Sequence, residues 1–381
     1  MKSQFFKLTP LILFSVFLSG CGDANEVLDE KISYSLQVKP ILSDRCYQCH
    51  GPDAGSREAD LQLDIPELAY KELKEGGFPI VPGDAESSIA FKRITSDDPD
   101  FIMPPPKSHM TVAPEEAEII RAWIDQGAVY EKHWAYIPPE KADLPTVSQT
   151  GWPKNQIDHF TLAKIEKAEL TPSAPADKAT LIRRAFLDLT GIIPSVDQLD
   201  KYLNDDREDY FEHMVDDLLN TPRYAEHMAS AWLDLARYGD THGYQNDFPR
   251  QMWPYRDWVI KAFEKNMPFD EFMTQQLTGD LLPNPTQDML LATGFNRNTL
   301  VSSEEGIVHE EFRVEYVADK VDATSTTFLG HTVGCARCHD HKFDPVSQKD
   351  YYNMFAFFNN TQEFGIVKAR FDAHPPFMHY F

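Results

Sequence analysis

Two segments of the chain repeat one chemical pattern, Cys46-Tyr47-Gln48-Cys49-His50 and Cys335-Ala336-Arg337-Cys338-His339. In each, two thiols stand three positions apart and an imidazole follows directly. This is the attachment signature of haem c. Each thiol adds across one haem vinyl group, and the histidine ligates the iron from one side. Cys-x-x-Cys alone also serves as a redox disulfide or as half of a zinc site, and the two pairs together could offer four thiolates to one metal. Neither alternative requires the histidine. The first motif is therefore read as a haem site with Cys46, Cys49 and His50. The second is read the same way, with Cys335, Cys338 and His339 and with zinc or a disulfide as its alternatives.

Around the first motif the pattern predicts a helix, the motif, loops, a methionine and a second helix. Val38, Ile41 and Leu42 recur at helical spacing before Cys46, and Pro40 marks where that helix starts or kinks. The middle is rich in Gly, Pro and Asp. Met103 then precedes three prolines, a rigid extended segment suited to presenting a side chain. A helix over Pro114–Gln126 has Pro near its first turn, acids at its positive end and Gly127 as its stop. Around the second motif a long helix over Glu311–Gly330 comes before, and an aromatic-rich helix over Val346–Asn360 follows. No Met-Pro-Pro segment accompanies it. The candidates for the iron's second axial position there are His331, His341, Met354, His242 and His309.

The fifth cysteine, Cys21, ends an apolar leader. Lys2 and Lys7 precede the run Leu11–Leu18, which is too short to span a bilayer. It reads as an export signal, and Leu18-Ser19-Gly20-Cys21 resembles a bacterial lipobox with Cys21 as the lipid-bearing residue. A plain signal peptide is the alternative. A lipid with several acyl chains would anchor the protein firmly.

The chain has 381 residues, enough for two or three domains, with 42% apolar and 25% charged residues. That composition excludes a mostly disordered chain, a fibre and a polytopic membrane protein. The net charge of −24 argues against nucleic acid and points to partners with a basic docking face. A proline-bearing connector runs from His133 to about Pro153, and helical periodicity fills the next two hundred residues. Asp177 and Ser195 are candidate helix caps. Asp240, His242 and Asp247 sit in a loop beside Arg250 and Arg256, where the preferred reading is loop hydrogen bonding over acid–base chemistry. Arg297, Arg313 and Arg337 suit either haem propionates or surface acids.

The order of elements around the first motif resembles a small monohaem cytochrome c. That resemblance makes His50 the proximal iron ligand and Met103 the distal one, with His109 and Met110 as rivals. More closely, Val38–Asp53, Val81-Pro82-Gly83-Asp84, Met103-Pro104-Pro105 and Ile124–Ala128 resemble the planctomycete-type cytochrome c domain. The later segments Trp253–Val259, Met267–Phe272, Gln276–Pro283, Gly294–Thr299 and Thr332–Pro345 resemble the uncharacterised domain that accompanies it. The resemblance implies a further C-terminal region after the chain's last residues.

The expected architecture is mostly α. It comprises a leader (1–20), a small cytochrome c-like haem domain (26–131), a Pro-rich linker (132–153), a larger helical domain carrying the second motif (154–365), and the start of a further region (366–381). The expected protein is an extracytoplasmic, lipid-anchored dihaem cytochrome in the periplasm or at the cell surface, passing electrons between redox proteins. No catalytic residue is assigned. The alternatives are a haem-dependent oxidoreductase acting on a substrate such as carbohydrate, or a binding module with a metal or disulfide at the second motif.

Overall fold

A computed structural model describes residues 31–361 and 363–366. The expected leader, the expected lipid site at Cys21 and nearly all of 366–381 lie outside the described residues. Among those residues the fold is helical, as expected. There is no strand, and only an isolated bridge pairs Thr241 with Pro249. The chain divides into two compact units at Pro138/Pro139.

The first unit opens on a π-helical turn, Tyr34–Val38, whose Ser33 cap accepts the Leu36 N–H at 3.4 Å. Five helices follow: α1 (Lys39–Arg45), α2 (Tyr47–His50), α3 (Pro66–Ala69), α4 (Ile89–Ile94) and α5 (Pro114–Asp125). Pro40 starts α1 rather than kinking it, because its missing N–H falls where helices have unpaired donors anyway. The Glu116 carboxylate accepts the Ala113 N–H at 2.8 Å and also takes Arg45 at 3.3 and 3.0 Å. It thereby caps α5 and ties it to the end of α1. That contact with Arg45 holds the Glu116 carboxyl below its usual range. Val38, Ile41, Leu42, Tyr47, Ile120, Trp123 and Ile124 form the core between these helices.

Among the described residues the second unit has ten α-helices. They are α6 (Gln156–Lys167), α7 (Lys178–Thr190), α8 (Val196–Leu203), α9 (Tyr210–Leu219), α10 (Pro222–Leu235), α11 (Trp253–Glu264), α12 (Phe269–Thr278), α13 (Gln287–Ala292), α14 (His309–Thr324) and α15 (Gln348–Phe358). Asp177 and Ser195 cap α7 and α8 as the sequence predicts. Gly191 ends α7 at φ +71°, and a Cβ there would lie 2.6 Å from the His227 ring. Glycine is thus required both for the left-handed turn and for the approach of α10.

Aromatic side chains of α10, α11 and α12 fill one core, with Trp232, Tyr255, Trp258 and Phe272 at its centre. Its two polar tips are satisfied together: the Gln276 carbonyl accepts Trp232 Nε1–H at 2.9 Å and the Tyr255 hydroxyl at 2.7 Å. A smaller cluster joins α14, the second motif and α15 through Val321, Val333, Ala336 and Tyr351. Beside it Lys320 and Glu363 form an ion pair, both nearly fully buried. Lys320→Ala leaves the carboxylate buried and alone, so denaturant unfolding is expected to show a loss of about 3–5 kcal/mol. A loss no larger than that of an exposed pair would mean that water reaches the pair.

Candidate haem sites

In the first motif the backbone makes one helical turn. His50 N–H donates to the Cys46 carbonyl at 2.9 Å and Cys49 N–H to the same oxygen at 3.1 Å. Residues three and four apart on such a turn share a face, so both thiols and the imidazole are brought together. Tyr47, between the cysteines, is the anchor: it is buried, and its hydroxyl meets that of Tyr34 at 3.0 Å. Gly51 lets the chain fold back, since a Cβ there would lie 2.4 Å from the Tyr47 carbonyl oxygen. The returning loop then crosses the motif, with Glu58 N–H on the Cys49 carbonyl and Leu63 N–H on the His50 carbonyl, both at 2.8 Å.

Both thiols are free and partly buried. Burial pushes the Cys46 thiol up to about 12, so it stays the neutral S–H that adds across a vinyl group. Burial pushes the His50 imidazole the other way, below its ordinary value, so it is neutral and can ligate. His50 Nδ1 is buried with no hydrogen-bond partner. A neutral imidazole with an unpaired buried nitrogen, beside two free thiols, fits haem attachment.

Met103 is half-buried on the loop after α4, and its N–H donates to the Arg93 carbonyl at 3.0 Å. The same arginine donates to the Phe101 carbonyl at 3.3 Å and lies 4.6 Å over the Phe101 ring. Its charge is near enough to His50 to help lower that imidazole's pKa, after burial. Arg93 therefore connects the methionine loop to the His50 side of the unit. Of the rivals, His109 is exposed at φ +58°, while Met110 is half-buried.

The second motif is more open. Cys335 and Cys338 are free thiols at the surface, and Ala336 between them is fully buried as the anchor. The His339 ring is exposed, with Nδ1 2.8 Å from the Asp340 carbonyl. That contact makes Nδ1 the protonated donor and leaves the lone pair on Nε2, the tautomer an iron ligand needs. The start of α15 clamps the motif. Gln348 Nε2 and the Tyr352 hydroxyl both donate to the Arg337 carbonyl, and Gln348 N–H donates to the Asp340 carboxylate. The donor set fits haem attachment here too.

Several candidates are placed elsewhere. His341 Nδ1 accepts the N–H groups of Asp344 at 2.9 Å and Phe343 at 3.3 Å, so that ring is a buried turn cap. Met354 sulfur accepts the Ser325 hydroxyl at 3.3 Å. His331 is half-buried, and His309 is exposed at the start of α14. Arg313 pairs with Glu310 and Asn359, and Arg337 pairs with Glu315. Among the described residues, no group of three or more His, Cys, Asp and Glu is placed to hold a metal ion.

Comparison with known families gives two matches. The family described as Planctomycete cytochrome C matches residues 46–107, from the leading cysteine of the first motif to just past Met103. The family PSCyt2, described as Protein of unknown function (DUF1549), matches residues 156–363. The chain belongs to the PSCyt2 family. Its planctomycete cytochrome c domain comes first, as the motifs indicated, and implies haem c binding. No curated protein and no solved structure matches the chain.

The PSCyt2 domain holds the second motif and also the Asp240–Arg250 loop, where Asp240 accepts the Tyr238 hydroxyl, Asp247 accepts the Gly243 N–H and Arg250 donates to the Gly239 carbonyl, as expected, and only His242 departs from loop hydrogen bonding. The His242 ring makes no hydrogen bond within its loop. It is fully buried, and neither ring nitrogen has a partner. Arg250 N–H donates to the Asp240 carbonyl at 2.8 Å and His242 N–H to the Phe248 carbonyl at 3.0 Å, which folds the loop over the imidazole. Arg237, Asn298 and Asp319, which lie around the same loop, carried no sequence signal at all.

Proposed function

We propose that the chain is an exported, lipid-anchored dihaem c-type cytochrome that transfers electrons. The observation that carries this reading is the pair of Cys-x-x-Cys-His motifs, both with free thiols, one of them inside the cytochrome c match. In this reading Cys46 and Cys49 attach one haem, with His50 and Met103 as its iron ligands. Cys335 and Cys338 attach the other, with His339 as its proximal ligand. Cys21 bears the lipid.

Haem supplies reversible one-electron exchange when bound. The chain's part would be to hold the imidazoles and to offer the Met103 thioether at the first site, while the Tyr34, Trp123 and Tyr130 rings pack the core against which Tyr47 anchors the motif. A thioether opposite an imidazole favours the reduced iron. The acidic chain recruits redox proteins with a basic face and repels nucleic acid. Its place is outside the cytoplasm, in the periplasm or on the cell surface, held to the membrane by lipid.

Haem per chain tests the proposal. The mature sequence is expressed in a host that matures haem c, and pyridine haemochrome absorbance is compared with protein concentration and intact mass. Two haems are expected. A single haem on Cys46 and Cys49 would sink the dihaem reading, and none would sink the cytochrome.

A further inference from the structure

A buried polar centre lies inside the PSCyt2 domain, built from the loops after α10 and α13 and from α14. Arg237 follows α10 with a left-handed backbone, φ +56°. This is the usual helix-ending conformation, closed by the Tyr238 N–H on the Leu233 carbonyl at 2.9 Å. Nη1 and Nη2 of Arg237 are buried without a hydrogen-bond partner. The group lies 5.6 Å over the Phe295 ring, and its Nε is 3.2 Å from an Asp319 oxygen.

Arg250 is also buried, and it spends its donors on the backbone carbonyls of Gly239, Asn298 and Thr299 rather than on a carboxylate. Its pKa is held down at about 10, first by burial and then by the charge of Arg237, so the two guanidiniums feel each other. His242 is lowered by burial and then by Arg250, while burial raises Asp319 towards its neutral form. In each case burial is the largest cause, and it favours the neutral form of the group. His242 and Asn298 are both fully buried, and both ring nitrogens and both amide atoms lack partners. Buried polar atoms in that condition need an occupant.

We propose that Arg237 and Arg250, with His242 and Asn298, form a binding site for a carboxylate. The free edge of a guanidinium matches the two oxygens of a planar carboxylate, and the imidazole and amide supply further donors. Two sources share this chemistry. One is a propionate of the haem on Cys335 and Cys338, which rests on the second-haem reading above. Asp322, one turn beyond Asp319 on α14, backs Gly334 beside Cys335, so the motif and the centre adjoin the same stretch of helix. The other is a small free carboxylate.

The test uses the full chain. In the haem-loaded protein, Arg237→Gln is expected to lower the midpoint potential of one haem in a spectroelectrochemical titration if a propionate is the occupant, and to leave the first haem's far-red band unchanged. In the Cys335→Ala/Cys338→Ala chain, succinate is titrated calorimetrically against a chloride control of equal ionic strength. Saturable binding that Arg237→Gln weakens about tenfold or more supports the free ligand. Unchanged potentials together with no succinate binding overturn the proposal. Should the glutamine variant not fold, Arg237→Lys keeps the charge without the fork, and unchanged behaviour in both assays has the same meaning. Haem count on the parent chain decides separately whether the second-haem reading stands.

Discussion

Replacing Met103 by alanine is expected to abolish the weak far-red absorption of a sulfur-ligated ferric haem and to lower the first haem's potential. Loss of the thioether removes the ligand that favours ferrous iron. The drop should be on the order of 0.1–0.2 V, a fraction of the roughly 0.8 V over which axial ligands tune haem. The fold should tolerate the change. Met103 is only half-buried, and the bond from its backbone N–H to the Arg93 carbonyl does not involve the side chain. Arg93 would still hold Phe101 through its carbonyl and its ring. A band that survives in Met103→Ala but disappears in Met110→Ala would transfer the role to Met110. A band that survives both would exclude a methionine ligand from this loop.

What the sequence disclosed here was mostly local. The caps at Asp177 and Ser195, the stop at Gly191 and the proline start of α5 are set by residues within one turn of the helix end. Such signals survive whatever the tertiary structure does. The helix predicted from Glu311 to Gly330 shows the limit. It is α-helical to Thr324, then widens to a π-helical turn over Ser325–Leu329 before Gly330 at φ +66°. Nothing in the apolar spacing distinguishes the two windings. The two Cys-x-x-Cys-His motifs were legible because covalent haem attachment demands two thiols and an imidazole in one short segment.

The buried centre was not legible, because Arg237, Arg250, Asn298 and Asp319 come from separate segments and each is an ordinary residue in isolation. His242 was misread for the same reason. In sequence it sits among polar loop residues, and only the closure of that loop by the Thr241–Pro249 bridge removes it from water. Long-range polar contacts were equally invisible in the first unit. The Tyr70 hydroxyl donates to the Ala128 carbonyl at 2.5 Å, and Tyr130 donates to the Leu63 carbonyl at 2.8 Å.

Trp123→Ala is expected to have the largest effect on stability in the first unit. The indole is 2% exposed, 5.5 Å from the Tyr34 ring and 5.2 Å from the Tyr130 ring. Its Nε1–H donates to the Val129 carbonyl at 3.1 Å. Truncating a buried tryptophan costs about 3–5 kcal/mol. Against a typical total of about 5–15 kcal/mol, that loss removes a third or more of a small unit's stability. The consequence reaches the haem motif, because Tyr34 touches Trp123 on one side and hydrogen-bonds Tyr47, between the two cysteines, on the other. In the haem-free chain the unfolding step of this unit should fall to much lower denaturant, while that of the PSCyt2 unit stays in place. Trp123→Phe should recover much of the loss, since it keeps the ring and forfeits only the hydrogen bond. An unfolding profile untouched by Trp123→Ala would show that α5 does not hold the haem motif in place. Attached haem should soften the effect, because anything bound only to the folded unit adds its own stabilisation. The difference between haem-free and haem-loaded chains would then measure how much of this small unit's stability comes from its aromatic core and how much from its cofactor.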